Sequence, residues 1–348
     1  MLGLRLHGVN DLRLDEIPRP WLPKGGMILK VHACSICGSD LRNIKAGGSS
    51  HGMTLPRIIG HEFSGEIVEI DDTIKEYKLG DRVVIATVLP CGKCDYCLQG
   101  STNLCVNKEG ISCEYDGGFA EYISIPNKTI AIGAVIPIPN NVTFEQSAIA
   151  EPLSCVLNGQ EISRVGLGDN VVIIGAGPLG VVHAEIAKIL GATKVIISEV
   201  SEERRKIAEK STNIDRIVDP INEDLKEVVL KETSNKGADV VIVAAPSGEA
   251  QVQALKIAAI GGRINFFGGL PKGKSRISID SNIIHYKELT ISGTSDSTAL
   301  HMKKIIRLLE AKKIDTNFLI TKVYPLTKYK DAFELASSGK ALKVIIKP

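Results

Sequence analysis

The sequence predicts an α/β protein with two domains, one of which contains a doubly wound parallel sheet. The first half of the 348-residue chain consists of short β-runs interrupted by glycine and proline, with few long helical patterns. After about Glu151, continuous apolar strands alternate with amphipathic helices, which is typical of a parallel sheet covered by helices on both faces. The chain is 44% hydrophobic, which is enough to form two cores.

The individual elements follow from hydrophobic periodicity and from the glycine and proline residues that interrupt it. In the first half, the pattern predicts strands at 27–32, 64–70, 82–86 and 119–125. In the second half, apolar runs predict strands at 171–174, 195–198, 240–244 and 263–267, with helices at 178–190, 202–210 and 249–258. The last part predicts helices at 299–312 and 328–337 and a strand at 343–346.

Charge and hydropathy exclude several classes of protein. The formal net charge is only +2, so we expect neither nucleic acid nor a membrane surface as a partner. No stretch reaches the roughly 18 apolar residues of a membrane helix, and the N-terminus has no apolar run of signal-peptide length. We therefore expect a soluble cytoplasmic protein, whose eight cysteines serve metal binding or catalysis rather than disulfide formation.

Four of the cysteines are close together in the sequence and predict a structural zinc site. Cys91, Cys94 and Cys97 occur at every third position, and Cys105 follows eight positions later. Four thiolates suit the tetrahedral coordination of zinc, and a site with four protein ligands stabilises a loop without performing chemistry. An iron–sulfur site is the alternative, but ferredoxins place the fourth cysteine after three residues and before a proline, whereas here the gap is longer and Val106 follows.

A second, open zinc site is predicted by two further motifs. The sequence Cys37-Gly-Ser-Asp follows one predicted strand, and Gly-His61-Glu62 opens the next. Cysteine and histidine are good zinc ligands, and either Glu62 or Cys155 completes a set of three that leaves a position for water or substrate. Because an isolated histidine is usually structural, it is the combination of these motifs with the cysteine cluster that indicates a catalytic metal.

A glycine-rich turn predicts a dinucleotide-binding site. It lies between the predicted strand 171–174 and the helix that follows, and its residues are Gly175, Gly177, Pro178, Leu179 and Gly180. The first glycine permits the tight turn, the second lets the backbone approach a pyrophosphate, and the third lets helix and strand pack closely. The N–H groups at the start of the helix attract phosphate. Glu199, at the end of the next strand, is expected to bind the adenosine ribose and to repel a 2′-phosphate, which favours NAD over NADP.

In this order, the motifs resemble the zinc-containing medium-chain dehydrogenases, and in particular their sorbitol dehydrogenase-like branch. The segments Asp116-Gly-Gly-Phe-Ala-Glu-Tyr122 and Glu151-Pro-Leu153 also resemble that family, so the resemblance covers nearly the whole chain. It implies a GroES-like, partly β-barrel catalytic domain formed by both chain ends, and a central Rossmann domain. The implied divisions are 1–155 for the first part of the catalytic zinc domain, 156–290 for the NAD-binding domain and 291–348 for the C-terminal part of the catalytic domain.

The resemblance leaves the third ligand of the catalytic zinc open. Simple alcohol dehydrogenases use two cysteines and one histidine, which would select Cys155. The polyol branch instead uses the glutamate that follows the histidine, here Glu62. That branch also places the equivalent of Glu151 just outside the ligands, and Asp40 is expected to accept a hydrogen bond from the ring of His61.

The same resemblance implies how a proton leaves the substrate. Ser39 is the expected first acceptor, in a relay through its hydroxyl and the cofactor ribose. Many members of the family continue the relay through a histidine five residues after the zinc cysteine. This chain has Arg42 there, which cannot act as a base near neutral pH, so water or His51 remains as the exit route.

The implied activity is hydride transfer between a secondary alcohol, most simply a polyol or sugar alcohol, and NAD. One catalytic and one structural zinc ion per chain are implied, with zinc lowering the pKa of the substrate hydroxyl. Ser39, Glu62 and Glu151 are the implied catalytic residues, and Arg204 is implied to pack against adenine. Members of the family are homodimers or homotetramers. The alternatives are a threonine-type or sugar-alcohol-phosphate dehydrogenase of the same family and, in another class, a non-catalytic zinc-binding module.

Overall fold

The protein is described by a computed structural model that covers residues 1–49, 52–271 and 273–348, so His51 lies outside the described residues. The contacts divide the chain into two compact units. The first unit consists of Met1–Ser154 and Asp296–Pro348, and the second of Cys155–Ser295. In the described part of the chain, every helix is too short or too polar to cross a lipid bilayer.

The strands and helices are numbered along the chain. The strands are β1 (Leu2–Gly8), β2 (Asp11–Glu16), β3 (Met27–Ser35), β4 (Arg57–Ile58), β5 (Glu62–Ile70), β6 (Arg82–Ile85), β7 (Val88–Leu89), β8 (Glu109–Gly110), β9 (Tyr122–Ile125), β10 (Val135–Pro137), β11 (Asn170–Ile174), β12 (Lys194–Ser198), β13 (Arg216–Val218), β14 (Ala238–Val243), β15 (Ala258–Phe266), β16 (Thr290–Gly293), β17 (Ile320–Pro325) and β18 (Lys343–Lys347). The helices are α1 (Gly38–Ala46), α2 (Asp95–Leu98), α3 (Asn127–Ala131), α4 (Phe144–Ala148), α5 (Ala150–Ile162), α6 (Pro178–Ile189), α7 (Glu202–Ala208), α8 (Leu225–Glu232), α9 (Gly248–Ile257), α10 (Ser281–Lys287), α11 (Ala299–Glu310), α12 (Thr316–Leu319) and α13 (Tyr329–Ser337).

The first unit is organised around strand β3. Its largest sheet has seven strands in the order β10-β6-β5-β3-β18-β17, with β9 also paired to β3. A separate sheet has the order β2-β1-β4, and β7 pairs with β8. Most residues of β3 are buried, and the strand has neighbours on both edges. The antiparallel pairing of β3 with β5 places Ser35 opposite Glu62, and the pairing with β18 places Cys34 opposite Ile346.

The second unit contains a parallel sheet with six strands in the order β13-β12-β11-β14-β15-β16. The first strand of the unit, β11, therefore lies in the middle, and the order reverses on either side of it, which defines a doubly wound sheet with a crevice at the carboxyl ends of its strands. In β11, Ile173 is paired with Ile197 on one side and Ile242 on the other. These strands are continuously apolar because both faces are buried.

The predicted strands and helices are confirmed, with differences at particular ends. Strand β9 is shorter than the predicted 119–125, since Phe119 N donates instead to Ile59 O at 3.1 Å. Strand β15 begins at Ala258, before the predicted 263. Helix α1 was not expected, because its sequence is polar and offers no apolar stripe. It is stabilised locally: Cys37 N donates to Asp40 Oδ2 at 2.9 Å, which satisfies a backbone group at the start of the helix.

Candidate metal and cofactor sites

The end of β3, the start of α1 and the start of β5 bring three potential metal ligands together. The ligand atoms of Cys37, His61 and Glu62 all lie within 4.8 Å of one another. Cys37 follows β3 and caps α1, and Glu62 is the first residue of β5, which pairs with the end of β3. The register of the two strands thus makes residues that are distant in sequence adjacent in space.

The turn before His61 requires glycine. Gly60 has a φ of +98°, and a Cβ atom there would lie 2.6 Å from the Phe119 ring and 2.8 Å from Cys34 Sγ. Any other residue would be strained and would displace these buried side chains. In the Gly-His-Glu motif, the glycine is therefore required by the backbone, and the other two residues are candidate ligands.

Asp116, the first residue of the 116–122 motif, stabilises the segment that leads into the turn at Gly60. Ile58 N donates to Asp116 Oδ1 at 3.1 Å, and the Arg57 guanidinium lies 3.3 Å from the same atom. Gly117 N donates to Ile58 O at 2.8 Å. These bonds fix the backbone that leads into His61.

His61 is held between two side chains of α1. Its Nδ1 lies 3.5 Å from Asp40 Oδ1, and its Nε2 lies 3.3 Å from Ser39 Oγ. Burial lowers the pKa of His61, but the carboxylate of Asp40 and the thiol group of Cys37 outweigh that effect and raise the pKa well above its usual value. Asp40 is itself completely buried, so its charge acts on the ring with little screening by water.

Glu62 forms a buried ion pair with a residue from the other end of the chain. Lys343 Nζ donates to Glu62 Oε1 at 2.9 Å and to Ile36 O at 3.0 Å. The same nitrogen lies 2.6 Å from Glu62 Oε2, but Oε2 has no hydrogen bond partner among the described residues. Asp40 Oδ1 is likewise buried without a hydrogen bond partner there. Each carboxylate oxygen carries more than one lone pair, so Glu62 Oε2 could bind a metal ion in addition to facing Lys343.

Two residues that the sequence associates with this site lie on helix α5. Glu151 is in the first turn of α5, and its charge helps to raise the pKa of Lys343, although burial of the lysine lowers it and Glu62 is the largest favourable contribution. Glu151 is therefore close to the Glu62–Lys343 pair. Cys155, one turn later, is the first residue of the second unit. Its assignment as an alternative third ligand stays a prediction.

The four clustered cysteines form a second group of potential ligands. The Sγ atoms of Cys91, Cys94, Cys97 and Cys105 all lie within 4.8 Å of one another. Backbone N–H groups of Lys93 and Cys94 lower the pKa of Cys91 to about 6, which favours the thiolate. Four thiol groups converge on one point without forming disulfides, since all eight cysteines are free. This donor set fits tetrahedral zinc and leaves no position for a substrate.

The glycine-rich turn joins β11 to α6 as predicted. Gly180 packs against the turn so closely that a Cβ atom there would lie 1.9 Å from Gly175 O. Gly177, the residue that caps α6, has open space where a Cβ atom would stand. Pro178 begins the helix. The open space beside helix N–H groups fits a pyrophosphate.

Glu199 lies beside this turn at the end of β12. Its Oε2 accepts a hydrogen bond from Ala176 N at 2.7 Å, and its Oε1 accepts one from Ser201 N at 2.9 Å. Arg204 Nη1 lies 3.9 Å from Oε2 and its side chain is 42% exposed. Arg205 is engaged elsewhere, with Nη2 at 2.8 Å from Asp219 Oδ2. The acidic side chain is thus fixed by backbone bonds at the edge of the candidate phosphate site.

Comparisons with known proteins agree with this architecture. A family model described as the alcohol dehydrogenase GroES-like domain matches residues 23–140, and one described as zinc-binding dehydrogenase matches residues 178–311. The chain is 30% identical over 343 residues to a sorbitol dehydrogenase of Halalkalibacterium halodurans, covering 98% of this chain and 97% of that protein. The chain belongs to the zinc-containing medium-chain dehydrogenase family.

Other members of this dehydrogenase family are named for different activities. The chain is 34% identical over 346 residues to an L-threonine 3-dehydrogenase of Pyrococcus horikoshii, covering 97% of this chain and 95% of that protein. The crystal structure of 2R,3R-butanediol dehydrogenase from Bacillus subtilis superimposes with a TM-score of 0.90 at 28% identity, covering 100% of this chain and 99% of that chain. Membership makes the chain a zinc-dependent alcohol dehydrogenase-type oxidoreductase with zinc and NAD(H) as its cofactors.

One residue of the site is not predictable from the sequence. Lys343 is the first residue of β18 and is followed by three apolar residues, so its sequence suggests an ordinary strand end. Its 7% side-chain exposure and its contact with Glu62 follow only from the pairing of β18 with β3. The available signal was a lysine next to a fully apolar run, which is too common to indicate a site.

Proposed function

We propose that this dehydrogenase oxidises a secondary alcohol of the polyol or sugar-alcohol class with NAD, at a zinc ion held by Cys37, His61 and Glu62. The convergence of these three ligand atoms within 4.8 Å carries the proposal. Zinc bound there would act as a Lewis acid that lowers the pKa of a substrate hydroxyl. Cys155 is the alternative third ligand.

The residues around the zinc ligands have distinct tasks in this proposal. Ser39, whose Oγ lies 3.3 Å from His61 Nε2, accepts the hydroxyl proton. Asp40 Oδ1, which lies 3.5 Å from His61 Nδ1, orients the His61 ring through its charge. Lys343 forms an ion pair with Glu62 and holds its side chain in place, and Glu151 adds negative charge beside that pair. Arg42 does not continue the proton relay, so we propose that water carries the proton onward.

The cofactor assignment rests on the turn 175–180 and on Glu199. We propose that the pyrophosphate binds at Gly177 and the start of α6, and that Glu199 binds the ribose hydroxyls of NAD. Both Glu199 oxygens retain lone pairs, because each accepts a single backbone hydrogen bond. A 2′-phosphate would meet this carboxylate, and Arg204 is proposed to pack against adenine.

The remaining assignments follow the same family pattern. We propose one structural zinc ion at the four cysteines, a catalytic role for the first unit and NAD binding for the second. Reduced cysteines suit a cytoplasmic protein. A homodimer or homotetramer is proposed, and size-exclusion chromatography with light scattering tests it.

One observation favours a second candidate, a dehydrogenase for a substrate that carries an anionic group. Arg42 lies one turn after Ser39 on α1, and a Cβ atom on Gly38 would be 3.6 Å from Arg42 Nη1. The guanidinium therefore lies over the start of α1, next to the proposed ligands. Guanidinium binds carboxylate and phosphate groups in a bidentate manner, which suits a threonine-type or sugar-alcohol-phosphate substrate.

The deciding experiment follows NAD and NADP reduction by zinc-replete protein with sorbitol, xylitol, butanediol, threonine and a sugar-alcohol phosphate. We expect NAD reduction by a neutral polyol, lost on addition of a chelator and in Cys37→Ser. Activity restricted to threonine or the phosphate, and lost in Arg42→Gln, would establish the second candidate instead. Inactivity across the panel with zinc and NADH both bound would overturn the substrate class.

A separate variant tests the role of Ser39. Ser39→Ala is expected to lower kcat by about 10²-fold or more, since the alcohol loses its first proton acceptor. Ser39→Thr keeps a hydroxyl and should recover most of the activity. The measurement is kcat against pH in both variants, with zinc content and NADH affinity as controls. Equal activity of Ser39→Ala and the unmodified protein at every pH would contradict the relay.

A further inference from the structure

A groove with a volume of about 460 Å³ lies on the second unit, and four lysines line it. These are Lys226, Lys236, Lys256 and Lys287. No acidic residue lines the groove within the described part of the chain. A pocket of this size is within the range that binds small molecules.

The groove is separate from the glycine-rich turn because the two lie at opposite ends of the parallel strands. The groove is at the amino ends, and the turn is at the carboxyl ends. Its lining includes Gly237, just before β14, and Ala258, the first residue of β15. The turn at Gly175 follows the carboxyl end of β11, which runs parallel to β14. A strand of five residues spans about 17 Å, so the two sites are separated by roughly that distance.

One of the four lysines is explained by the fold. Lys287 Nζ donates to Ala258 O at 2.7 Å and to Lys256 O at 3.3 Å, so it binds carbonyl groups near the end of α9. Burial and the charge of Lys226 both lower the pKa of Lys287, which shows that the charges in the groove repel one another. An anion in the groove would relieve this repulsion.

The other three lysines are exposed and have no such explanation. Among the residues that the structure describes, no carboxylate forms an ion pair with Lys226, Lys236 or Lys256. Other lysines of this unit do have carboxylate partners: Lys188 lies 2.7 Å from Asp215, and Lys194 lies 2.6 Å from Glu232. The groove thus brings three lysines without a carboxylate partner to one apolar surface.

The walls between the lysines are apolar. They are formed by Leu230, Ile257, Ile260 and Ile283, and Ile260 is 81% exposed. An exposed isoleucine beside three unpaired ammonium groups favours a ligand that has both a carbon skeleton and several negative charges. Nucleic acid fits less well, since no aromatic side chain is present in the described lining to stack on a base.

We propose that this groove binds a small organic polyanion, a compact molecule with at least two phosphate or carboxylate groups, through Lys226, Lys236 and Lys256. Ile260 contacts the carbon skeleton of the ligand. The site is distinct from both groups of candidate metal ligands and from the turn 175–180. It gives the enzyme a further ligand besides its substrate and cofactor.

The test measures binding of fructose 1,6-bisphosphate, citrate and inorganic pyrophosphate by calorimetry, with NADH saturating so that the cofactor site is filled. The Lys226→Gln/Lys236→Gln variant is expected to weaken binding at least tenfold. The control variant is Lys231→Gln/Lys210→Gln, which removes two exposed lysines of the same unit outside the groove and should leave binding unchanged. Neither variant should change kcat or KM for the alcohol at zero polyanion.

The probes distinguish the kinds of ligand. Tighter binding of the bisphosphate identifies phosphate esters, and tighter binding of citrate identifies polycarboxylates. Pyrophosphate binding as tight as that of both organic probes would overturn the proposed contact with Ile260. The proposal is wrong if none of the probes binds at millimolar concentration, if both variants lose equal affinity, if NADH abolishes binding, or if only nucleic acid binds.

Discussion

At the scale of single residues, the candidate catalytic site depends on charges that are buried together. Glu62 and Lys343 have side-chain exposures of 0% and 7%. Moving either charge out of water alone costs several kcal/mol, and only the presence of the opposite charge offsets that cost. Burial lowers the pKa of Lys343, but Glu62 outweighs it and the pKa is raised. The lysine therefore stays protonated, and its charge holds the side chain of Glu62 at the candidate metal site.

Substitution of Glu62 separates the stability of this pair from metal binding. Glu62→Gln should lower the free energy of unfolding by about 3 kcal/mol, because it leaves the Lys343 charge buried without a partner. Glu62→Gln/Lys343→Met should recover most of that loss, since no unpaired charge remains. Urea denaturation measures stability, and competition with a chromophoric chelator measures affinity for zinc. Both variants should bind the catalytic zinc more weakly.

An exposed pair supplies the control. Lys347 and Glu145 lie 2.8 Å apart with side-chain exposures of 50% and 24%, and Glu145→Gln should change stability by less than about 1 kcal/mol. If the double variant at positions 62 and 343 binds zinc as tightly as the unmodified protein, Glu62 is not a ligand. Cys155 then becomes the better candidate.

At the scale of elements, helix α6 combines the candidate phosphate site with a buried histidine. His183 is completely buried, its Nδ1 lies 3.1 Å from Gln160 Nε2, and its ring contacts that of Phe267 edge to face at 4.5 Å. Burial lowers its pKa from 6.5 to about 3, so the imidazole is neutral in the folded protein. The helix that holds the candidate phosphate site is thus packed through a titratable side chain.

The buried histidine makes stability depend on pH. Below pH 6.5 the unfolded chain binds a proton at His183 while the folded chain does not, until the pH reaches about 3. Stability is therefore complete above pH 6.5 and falls with decreasing pH between these values. Between pH 7 and pH 5 we expect a loss of about 2 kcal/mol that is absent in His183→Gln.

Urea denaturation at a series of pH values tests this expectation. His285, which is exposed in the same unit, supplies the control, and His285→Gln should follow the unmodified protein. An identical pH profile for His183→Gln and the unmodified protein would show that His183 titrates equally in both states.

The cysteine cluster is the other element with a specific consequence. Helix α2 has only four residues, and the segment around it has exposed apolar side chains such as Leu98 and Val106. So short a helix is not stable without further support. A metal ion bound by the four thiolates would supply that support through its binding free energy.

Loss of one cluster thiol should therefore unfold the segment locally. Cys94→Ser is expected to lower the zinc content by one ion per chain and to make residues 91–105 sensitive to proteolysis. Cys113→Ser, outside the cluster, should do neither. Zinc is measured by atomic emission and cleavage by mass spectrometry. Unchanged zinc content in Cys94→Ser would exclude a four-cysteine zinc site.

At the scale of the whole molecule, metal binding and cofactor binding are assigned to different compact units. Both groups of candidate metal ligands lie within Met1–Ser154 and Asp296–Pro348. The turn 175–180 and Glu199 lie within Cys155–Ser295. Strand β18, from the last part of the chain, pairs with β3 and brings Lys343 to Glu62. The first unit therefore depends on both chain ends.

Removal of zinc and addition of NADH should affect these units separately. Hydrogen exchange is expected to increase on chelation at residues 58–62 and 91–105, because ligands stabilise only the structure that binds them. Strands β11 and β14 should keep their protection. NADH should add protection at 174–181 and near Glu199 in both the zinc-bound and chelated protein. Equal loss of protection in both units on chelation would contradict this division.

Much of this protein is predictable from local sequence. The parallel sheet is predicted by continuous apolar strands such as β11. The turn 175–180 is predicted by glycines whose spacing is typical of a dinucleotide-binding turn between a strand and a helix. The cysteine cluster is readable because its four members lie within fifteen residues. Helix α1 was missed, since its stability comes from the Cys37 and Asp40 cap rather than from an apolar face.

The sequence by itself determined the fold class, the family and the candidate ligands, because each depends on residue types at short, regular spacing. Only the tertiary structure decided that Cys37, His61 and Glu62 converge, that Lys343 pairs with Glu62, and that four lysines line one groove. Those contacts join residues up to 281 positions apart through strand pairing and helix packing. Local propensity carries no information about which distant segments meet, because that choice is made by burial of the whole core.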